Sequence, residues 1–379
     1  MAVVTCIEDL RLLAKRRVAR AIFEYVDRGS YSEQTLRANR ADLESLALRQ
    51  RVGIDVDHRS LRTTMLGNEV RMPVALAPVG LTGLNWADGE VLAARAAQSF
   101  GVPYTLSTMS ICSIEDVAGA VEKPFWFQLY VMRDRGFAAS LIERAKKAGC
   151  SALVLTLDLQ IQGQRHRDIH NGLAVPPRLT WGTAFDILGK PGWAINVLRG
   201  KRKSFGNLEG RIPDAKSLTT LSQWIAGQFD PSLSWKDVEW VKKLWGGKLV
   251  LKGILDAGDA KIAASTGADA IVVSNHGGRQ LDGAISSIRA LPEIVDVVQN
   301  EIEVWLDGGI RSGQDVLRAL ALGAKATMIG RAYAYGLGAM GEAGVRLALE
   351  TIEKELDVTL ALCGLRDVKE ASPAILRPA

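Results

Sequence analysis

The chain contains no run of apolar residues approaching the ~18–20 needed to cross a bilayer as a helix, so no spanning segment is expected. Its first ten residues, 1–10, have no basic start, no apolar middle and no small-residue cleavage site, and they already carry Glu8 and Asp9. A secretory signal is therefore not expected. The four cysteines, Cys6, Cys112, Cys150 and Cys363, are scattered, with no CxxC and no zinc spacing. That pattern suits free thiols in a reducing compartment and gives no metal site. There is no GxGxxG after an early strand-like run, which argues against an open dinucleotide-binding sheet. Histidine is scarce too, with only His58, His166, His170 and His276.

Charge of one sign is also in short supply, except in one place. The formal net charge is +5 over 379 residues. Segment 178–216 carries eight basic residues (Arg178, Lys190, Arg199, Lys201, Arg202, Lys203, Arg211 and Lys216) against three acidic ones (Asp186, Glu209 and Asp214). That segment accounts for the whole excess, and the rest of the chain is neutral. A general nucleic-acid surface is excluded on this ground.

What is present is a repeat. From residue 74 a short β-branched or aromatic run is followed by a polar residue, a loop and an amphipathic helix. Eight such runs fall at 74–77, 104–106, 125–129, 152–157, 249–251, 270–273, 304–306 and 327–329. Helical patterns follow, as at 135–148, 257–265 and 313–322, with Gly149, Gly267 and Gly323 where C-caps belong. Apolar strands alternating with helices predict a parallel sheet buried on both faces. Eight units predict an α/β fold of the (β/α)8 TIM-barrel type. One domain over 1–379 is expected. It comprises N-terminal helices in 1–70, barrel in 71–165 and 235–357, and an inserted loop at 166–234; residues 341–356 are expected to form the eighth barrel helix.

In such a barrel, chemistry sits at the C-terminal ends of the strands. Those ends read Pro78, Ser107, Gln128 with Tyr130, Thr156 with Asp158, Lys252, Ser274 with His276, Asp307, and Gly330 with Arg331. Burying such groups unpaired is costly, so a ring of them marks a site. The DGGIR stretch at 307–311 and Gly330-Arg331 follow the last two strands, where barrels often hold phosphate on backbone N–H groups and a helix N-terminus. His276, flanked by glycines, is placed to take a proton, and Arg279 can grip a carboxylate bidentately. Lys252 ends an apolar strand, and two roles fit it: a Schiff base, or stabilisation of negative charge on a cofactor.

Taken together, SNHGGRQL at 274–281, QLY at 128–130, LVLKG at 249–253 and DGGIR at 307–311 resemble the FMN-dependent L-2-hydroxy-acid oxidising family. The likeness runs from Tyr25 to about Cys363. It is greatest toward the bacterial respiratory L-lactate dehydrogenases, through YSE at 31–33, ALRQR at 47–51, MPVALAPVGL at 72–81, RDRGF at 133–137 and FDPSLSWKD at 229–237. The resemblance implies FMN as cofactor and oxidation of an L-2-hydroxy acid, best L-lactate to pyruvate, with electrons passed to a quinone or cytochrome. His276 would be the general base and Asp158 its orienting partner. Arg279, Arg165 and Tyr25 would hold the substrate carboxylate, and Tyr130 its hydroxyl. Val79, Gly80, Ser107, Gln128, Thr156, Lys252 and Ser274 would surround the flavin ring. Asp307 would hold the ribityl chain, and Gly309, Arg311, Gly330 and Arg331 the phosphate. The Schiff-base role for Lys252 falls away on this reading.

Oxidases of the family carry an aromatic residue near Met109 and Ala where this chain has Gly80, so the likeness is to the dehydrogenases. Small residues there also leave room for mandelate-sized acids. A glycolate-type oxidase using oxygen is the other alternative. Family likeness implies a homotetramer. The basic and aromatic composition of 178–216, with Trp181, Phe185, Trp193 and Phe205, suits an anionic membrane surface, as well as an active-site lid. The expected location is the cytoplasm, peripheral on the inner face of the cell membrane.

Overall fold

A computed structural model of the protein describes residues 3–173, 181–209, 224 and 227–377. Eight parallel strands form the centre: β1 (Val74–Leu76), β2 (Thr105–Ser107), β3 (Trp126–Leu129), β4 (Ala152–Thr156), β5 (Lys248–Ile254), β6 (Ala270–Val273), β7 (Glu303–Asp307) and β8 (Ala326–Ile329). Each pairs with its sequence neighbour from β2 to β8, and β8 pairs with β1. The ring closes between β1 and β2 through a Leu76–Tyr104 bridge, where Leu76 N–H donates to Pro103 O at 2.9 Å. β4 and β5 are adjacent in register, Ala152 against Lys248 and Thr156 against Lys252, although the long insertion separates them in sequence.

Side-chain alternation decides what faces the barrel axis. On β3, Trp126 and Gln128 share a face. On β4 the shared face carries Ala152, Val154 and Thr156, on β5 Val250 and Lys252, and on β7 Trp305 and Asp307. The lower members of these series form one dry cluster, which includes Ala75, Trp126, Val154, Val250, Trp305 and Met328. The Trp126 and Trp305 rings stack within it, 5.2 Å apart at 12°. A hairpin of Thr63–Met65 and Asn68–Val70 closes the barrel floor by burying Met65, Leu66 and Val70 in the same cluster. With the floor plugged, the polar upper members look out of the opposite end.

Helices 135–147, 257–265 and 313–321 match the sequence reading closely. Gly149, Gly267 and Gly323 all take positive φ just beyond them, as C-cap positions require. The segment after β8 differs from expectation. It forms two helices, Arg331–Met340 and Glu342–Leu362, rather than one beginning at 341. The first is buried on every side from Arg331 to Gly338, so it lacks the polar face by which a surface helix is read. The pair meets at Gly336 and Gly344, where an added Cβ would lie 2.2 and 1.9 Å from the opposite carbonyl oxygen. The C-terminal Leu376–Arg377 returns to pair antiparallel with Ala47–Leu48.

Within the insertion, helices Trp181–Leu188 and Pro191–Leu198 lie against the barrel rim and the N-terminal helices. Trp193 is buried and donates from Nε1 to Leu84 O at 2.9 Å, while Asn196 Oδ1 accepts from Ala87 N at 3.0 Å. Asn207, also buried, fastens the far end to the loop after β2. Its Oδ1 accepts from Ile114 N at 2.9 Å, and its Nδ2 donates to Ser110 Oγ at 3.0 Å. Of the sequence-selected residues of this segment, Arg178, Arg211, Asp214, Lys216 and the side chain of Trp181 lie outside the described residues. No helix among the described residues is long and apolar enough to cross a membrane.

Candidate active site

A cavity of about 400 Å3 opens at the C-terminal end of the strands. Every sequence-selected site residue lines it except Gln128, Asp158 and Ser274, which stand immediately behind the wall.

His276 sits three residues beyond β6 on a left-handed backbone, φ 59°, between Asn275 and Gly277. Its Nδ1 lies 3.0 and 3.2 Å from the two carboxylate oxygens of Asp158, so Nε2 is the nitrogen left for a ligand. Its main-chain N–H donates to Ser274 Oγ at 3.1 Å, which fixes the turn. Burial pushes the His276 pKa down; Asp158 opposes this, while Lys252 and Arg165 add to it, and the net shift is downward. Burial pushes Asp158 up, but His276 and then Lys252 outweigh it, leaving the carboxyl below its usual range. The pair therefore rests as a neutral imidazole on a carboxylate, the state a proton acceptor needs.

Arg279 and Arg165 flank the Tyr25 ring, their guanidinium carbons 4.8 and 6.0 Å from its centroid. Arg279 donates to the carbonyls of Tyr25 and Arg28, and among the described residues no carboxylate lies within ion-pair distance of it. Burial, then the neighbouring Arg165 cation, presses the Arg279 pKa down to about 9. A buried cation without an anion is costly, so this corner is built to receive a carboxylate. Tyr130 faces the same space and packs edge-on against Phe229. Its pKa is raised by burial and then by Asp158 and Tyr25, so the phenol stays protonated and able to donate.

On the other side, Lys252 Nζ lies 2.9 Å from Ser274 Oγ and 3.1 Å from Asp307 Oδ2, and Ser274 Oγ donates to Asp307 Oδ1 at 2.8 Å. Gln128 Oε1 accepts from Ser107 Oγ and Thr108 N, both at 3.2 Å. Yet Gln128 Nε2 and Thr156 Oγ1 are buried with no partner among the described residues. Orphaned donors at such a wall call for a polar ligand. A Cβ on Gly80 would lie 3.1 Å from Met109 O and 3.3 Å from the Tyr25 hydroxyl, which makes Gly80 the narrow point of the rim.

Beyond Asp307, Gly308 and Gly309 turn with φ of 107° and 93° beneath Arg311 and the N-terminus of helix Arg331–Met340. Arg311 is half-buried, and its pKa is lowered first by desolvation. It forms no ion pair among the described residues, its Nη1 donating only to Ile310 O at 2.8 Å. The Arg331 guanidinium is spent instead on the carbonyls of Val26, Gly277 and Arg28 at 2.8–3.0 Å. It clamps the N-terminal helix to the β6 loop, and what it can offer an anion is its backbone N–H at the helix start. The arrangement fits FMN: a phosphate corner, a polar wall with unpaired donors, and a buried lysine. No group of metal-binding side chains occurs among the described residues.

Sequence reasoning missed several lining residues. Asp168, Leu173 and Ser204 come from the insertion, as do Lys203, Phe205 and Phe229, which the sequence marked for charge, aromaticity or family likeness but not as cavity wall. No periodicity marks them, because their position depends on how the insertion folds back.

The chain matches the FMN-dependent dehydrogenase family model over residues 14–378. It is 49% identical over 374 residues to an L-lactate dehydrogenase of Pseudomonas paraeruginosa, covering 98% of this chain and 97% of that one. Identity is also 49%, over 375 residues, to an L-lactate dehydrogenase of Caulobacter vibrioides, covering 99% and 98%. Among solved structures it superposes on the monotopic membrane protein (S)-mandelate dehydrogenase with a TM-score of 0.94, at 36% identity and full coverage of both chains. A mandelate oxidase structure gives 0.84 at 37% identity, covering 99% and 98%. Barrel, phosphate corner and full-length similarity agree: the chain belongs to the FMN-dependent dehydrogenase family.

Proposed function

We propose that this protein oxidises L-lactate to pyruvate and passes the electrons to a quinone or cytochrome. The observation that carries the reading is the His276–Asp158 pair facing the two guanidiniums across one cavity. Arg279 and Arg165, with the Tyr25 hydroxyl, hold the substrate carboxylate. Tyr130 bonds to the substrate hydroxyl. His276 takes a proton at Nε2, and Asp158 steadies the imidazolium that results. Val79, Gly80, Ser107, Gln128, Thr156, Lys252 and Ser274 would surround the ring of FMN, Asp307 its ribityl chain, and Gly309, Arg311, Gly330 and Arg331 its phosphate. Bound FMN supplies the two-electron acceptor. The identity to L-lactate dehydrogenases supports lactate as substrate. An apolar rim of Met109, Ile111, Leu159 and Phe205 favours a second reading, in which mandelate-sized acids are taken.

We also infer that the protein sits peripherally on the inner face of the cell membrane, as a homotetramer. Phe185, Leu188, Ile195 and Leu198 of the two insertion helices are 68%, 74%, 51% and 71% exposed, an unusual density of large apolar side chains. The basic residues contribute less than their number suggests. Lys201 and Arg202 pair with Asp116, and Lys190 and Lys203 donate to backbone carbonyls.

The purified protein is expected to be yellow, and its flavin band to bleach anaerobically with L-lactate but not D-lactate. A colourless protein would refute the reading. Faster bleaching by mandelate would replace the substrate, and stoichiometric peroxide formation in air would replace the acceptor.

A further inference from the structure

Asp168 is an acidic residue of the cavity wall that the chemistry above leaves unused. It belongs to the short helix His166–His170, three residues after Arg165, and it is buried while lining the cavity. Its Oδ2 lies 3.9 Å from Arg165 Nη1, a loose ion pair. Among the described residues its carboxylate accepts no hydrogen bond and caps no helix, although its main-chain oxygen accepts from Leu173 N at 2.8 Å. Structural aspartates in buried positions are normally hydrogen-bonded, because leaving a carboxylate without donors is costly. Burial pushes this carboxyl upward, and the guanidiniums of Arg279 and then Arg165 pull it back toward the charged form, with Glu24 as a further nearby acid.

The charges at that corner decide what fits. Two arginines alone would present two positive charges to an incoming acid. With Asp168 beside them the sum falls to one, the more distant Glu24 carboxylate and Arg331 guanidinium offsetting each other, and a single substrate carboxylate neutralises it. A second carboxylate on the substrate would meet Asp168 with both guanidiniums already engaged.

We propose that Asp168 is a specificity-determining residue, setting the charge of the carboxylate subsite so that it takes monoanionic 2-hydroxy acids and rejects dianionic ones. The proposal rests on the assignment of Arg165 and Arg279 as the carboxylate grip. A neighbouring unit charge, with an effective dielectric above 20 because the cavity is open to water, shifts dianion against monoanion affinity by about tenfold.

The test is equilibrium binding of propionate and of oxalate to the FMN-loaded protein, read from the change in flavin absorbance. In Asp168→Asn the oxalate-to-propionate affinity ratio is expected to rise about tenfold, and in Asp168→Glu to stay within about twofold of the parent. An unchanged ratio in Asp168→Asn overturns the proposal, as does a weakening of both ligands in equal measure, which is what a merely structural role would give. If Asp168→Asn does not load flavin, Asp168→Ser, equally neutral, carries the same comparison. Arg279→Met separates the underlying reading: undiminished binding of both ligands there refutes the carboxylate grip itself. Lost binding there with an unchanged ratio in Asp168→Asn refutes only the charge filter.

Discussion

Asp158 grips His276 by Nδ1 at 3.0 Å and turns Nε2 toward the cavity. The two residues come from the ends of β4 and β6, which are not adjacent strands, so the pairing depends on the closed barrel rather than on local sequence. Asp158→Asn keeps the shape and removes the charge. The neutral imidazole is the reactive form, so the acid limb of kcat/KM follows the His276 pKa. Asp158 is the group that raises that pKa against burial. Its neutralisation therefore moves the acid limb to lower pH, while the rate falls roughly a hundred- to ten-thousand-fold because the imidazolium loses its counter-charge. A pH–rate profile of the variant with an artificial acceptor checks both. An acid limb that moves upward would contradict the assignment.

Lys252, Ser274 and Asp307 form a closed triangle of contacts at 2.8–3.1 Å, and all three are buried. Lys252→Met leaves Asp307 as an uncompensated buried charge, at a cost of roughly 3–5 kcal/mol. The double variant Lys252→Met/Asp307→Asn removes both charges and is expected to recover most of that loss. Urea unfolding with FMN in excess measures the difference. Equal destabilisation of the single and double variants would mean that the ion pair contributes nothing beyond packing.

Much of this was legible in the sequence because two independent regularities agree. The period-2 alternation that buries Trp126, Val154, Val250 and Trp305 also carries Gln128, Thr156, Lys252 and Asp307 to the open end, so strand ends alone nominated the site. Glycines at 277, 308 and 309 take the positive φ that their neighbours' placement demands. Helix Arg331–Met340 was not legible as a helix, because a segment buried all round has no polar face to reveal its period. The same helix explains why the Arg331 side chain does not reach the phosphate corner: its guanidinium holds Val26, Gly277 and Arg28 instead. Asp168 was not singled out, and Phe205 was read only as part of a membrane-facing or lid segment, for a different reason. They enter the cavity from an insertion whose path is set by tertiary anchors such as Trp193 and Asn207. Nor does a count of basic residues reveal which of them are already bonded within the protein.

That last point makes the membrane inference testable in a discriminating way. If attachment were electrostatic, screening would release the protein, since the Debye length falls to about 3–5 Å well above physiological ionic strength. Lys190, Lys201, Arg202 and Lys203 already have partners within the protein, however, whereas Phe185, Leu188, Ile195 and Leu198 project into solvent. Each large apolar side chain contributes roughly 1.5–3 kcal/mol when fully buried. Replacing all four by serine is therefore expected to lower partitioning onto vesicles containing anionic lipid by far more than tenfold. About 0.5 M salt should lower it only a fewfold. Sedimentation with such vesicles measures both effects. Turnover of L-lactate with an artificial acceptor should be unchanged in the serine variant, because none of the four side chains lines the cavity. Release by salt together with retained binding of the variant would transfer the role to the basic residues.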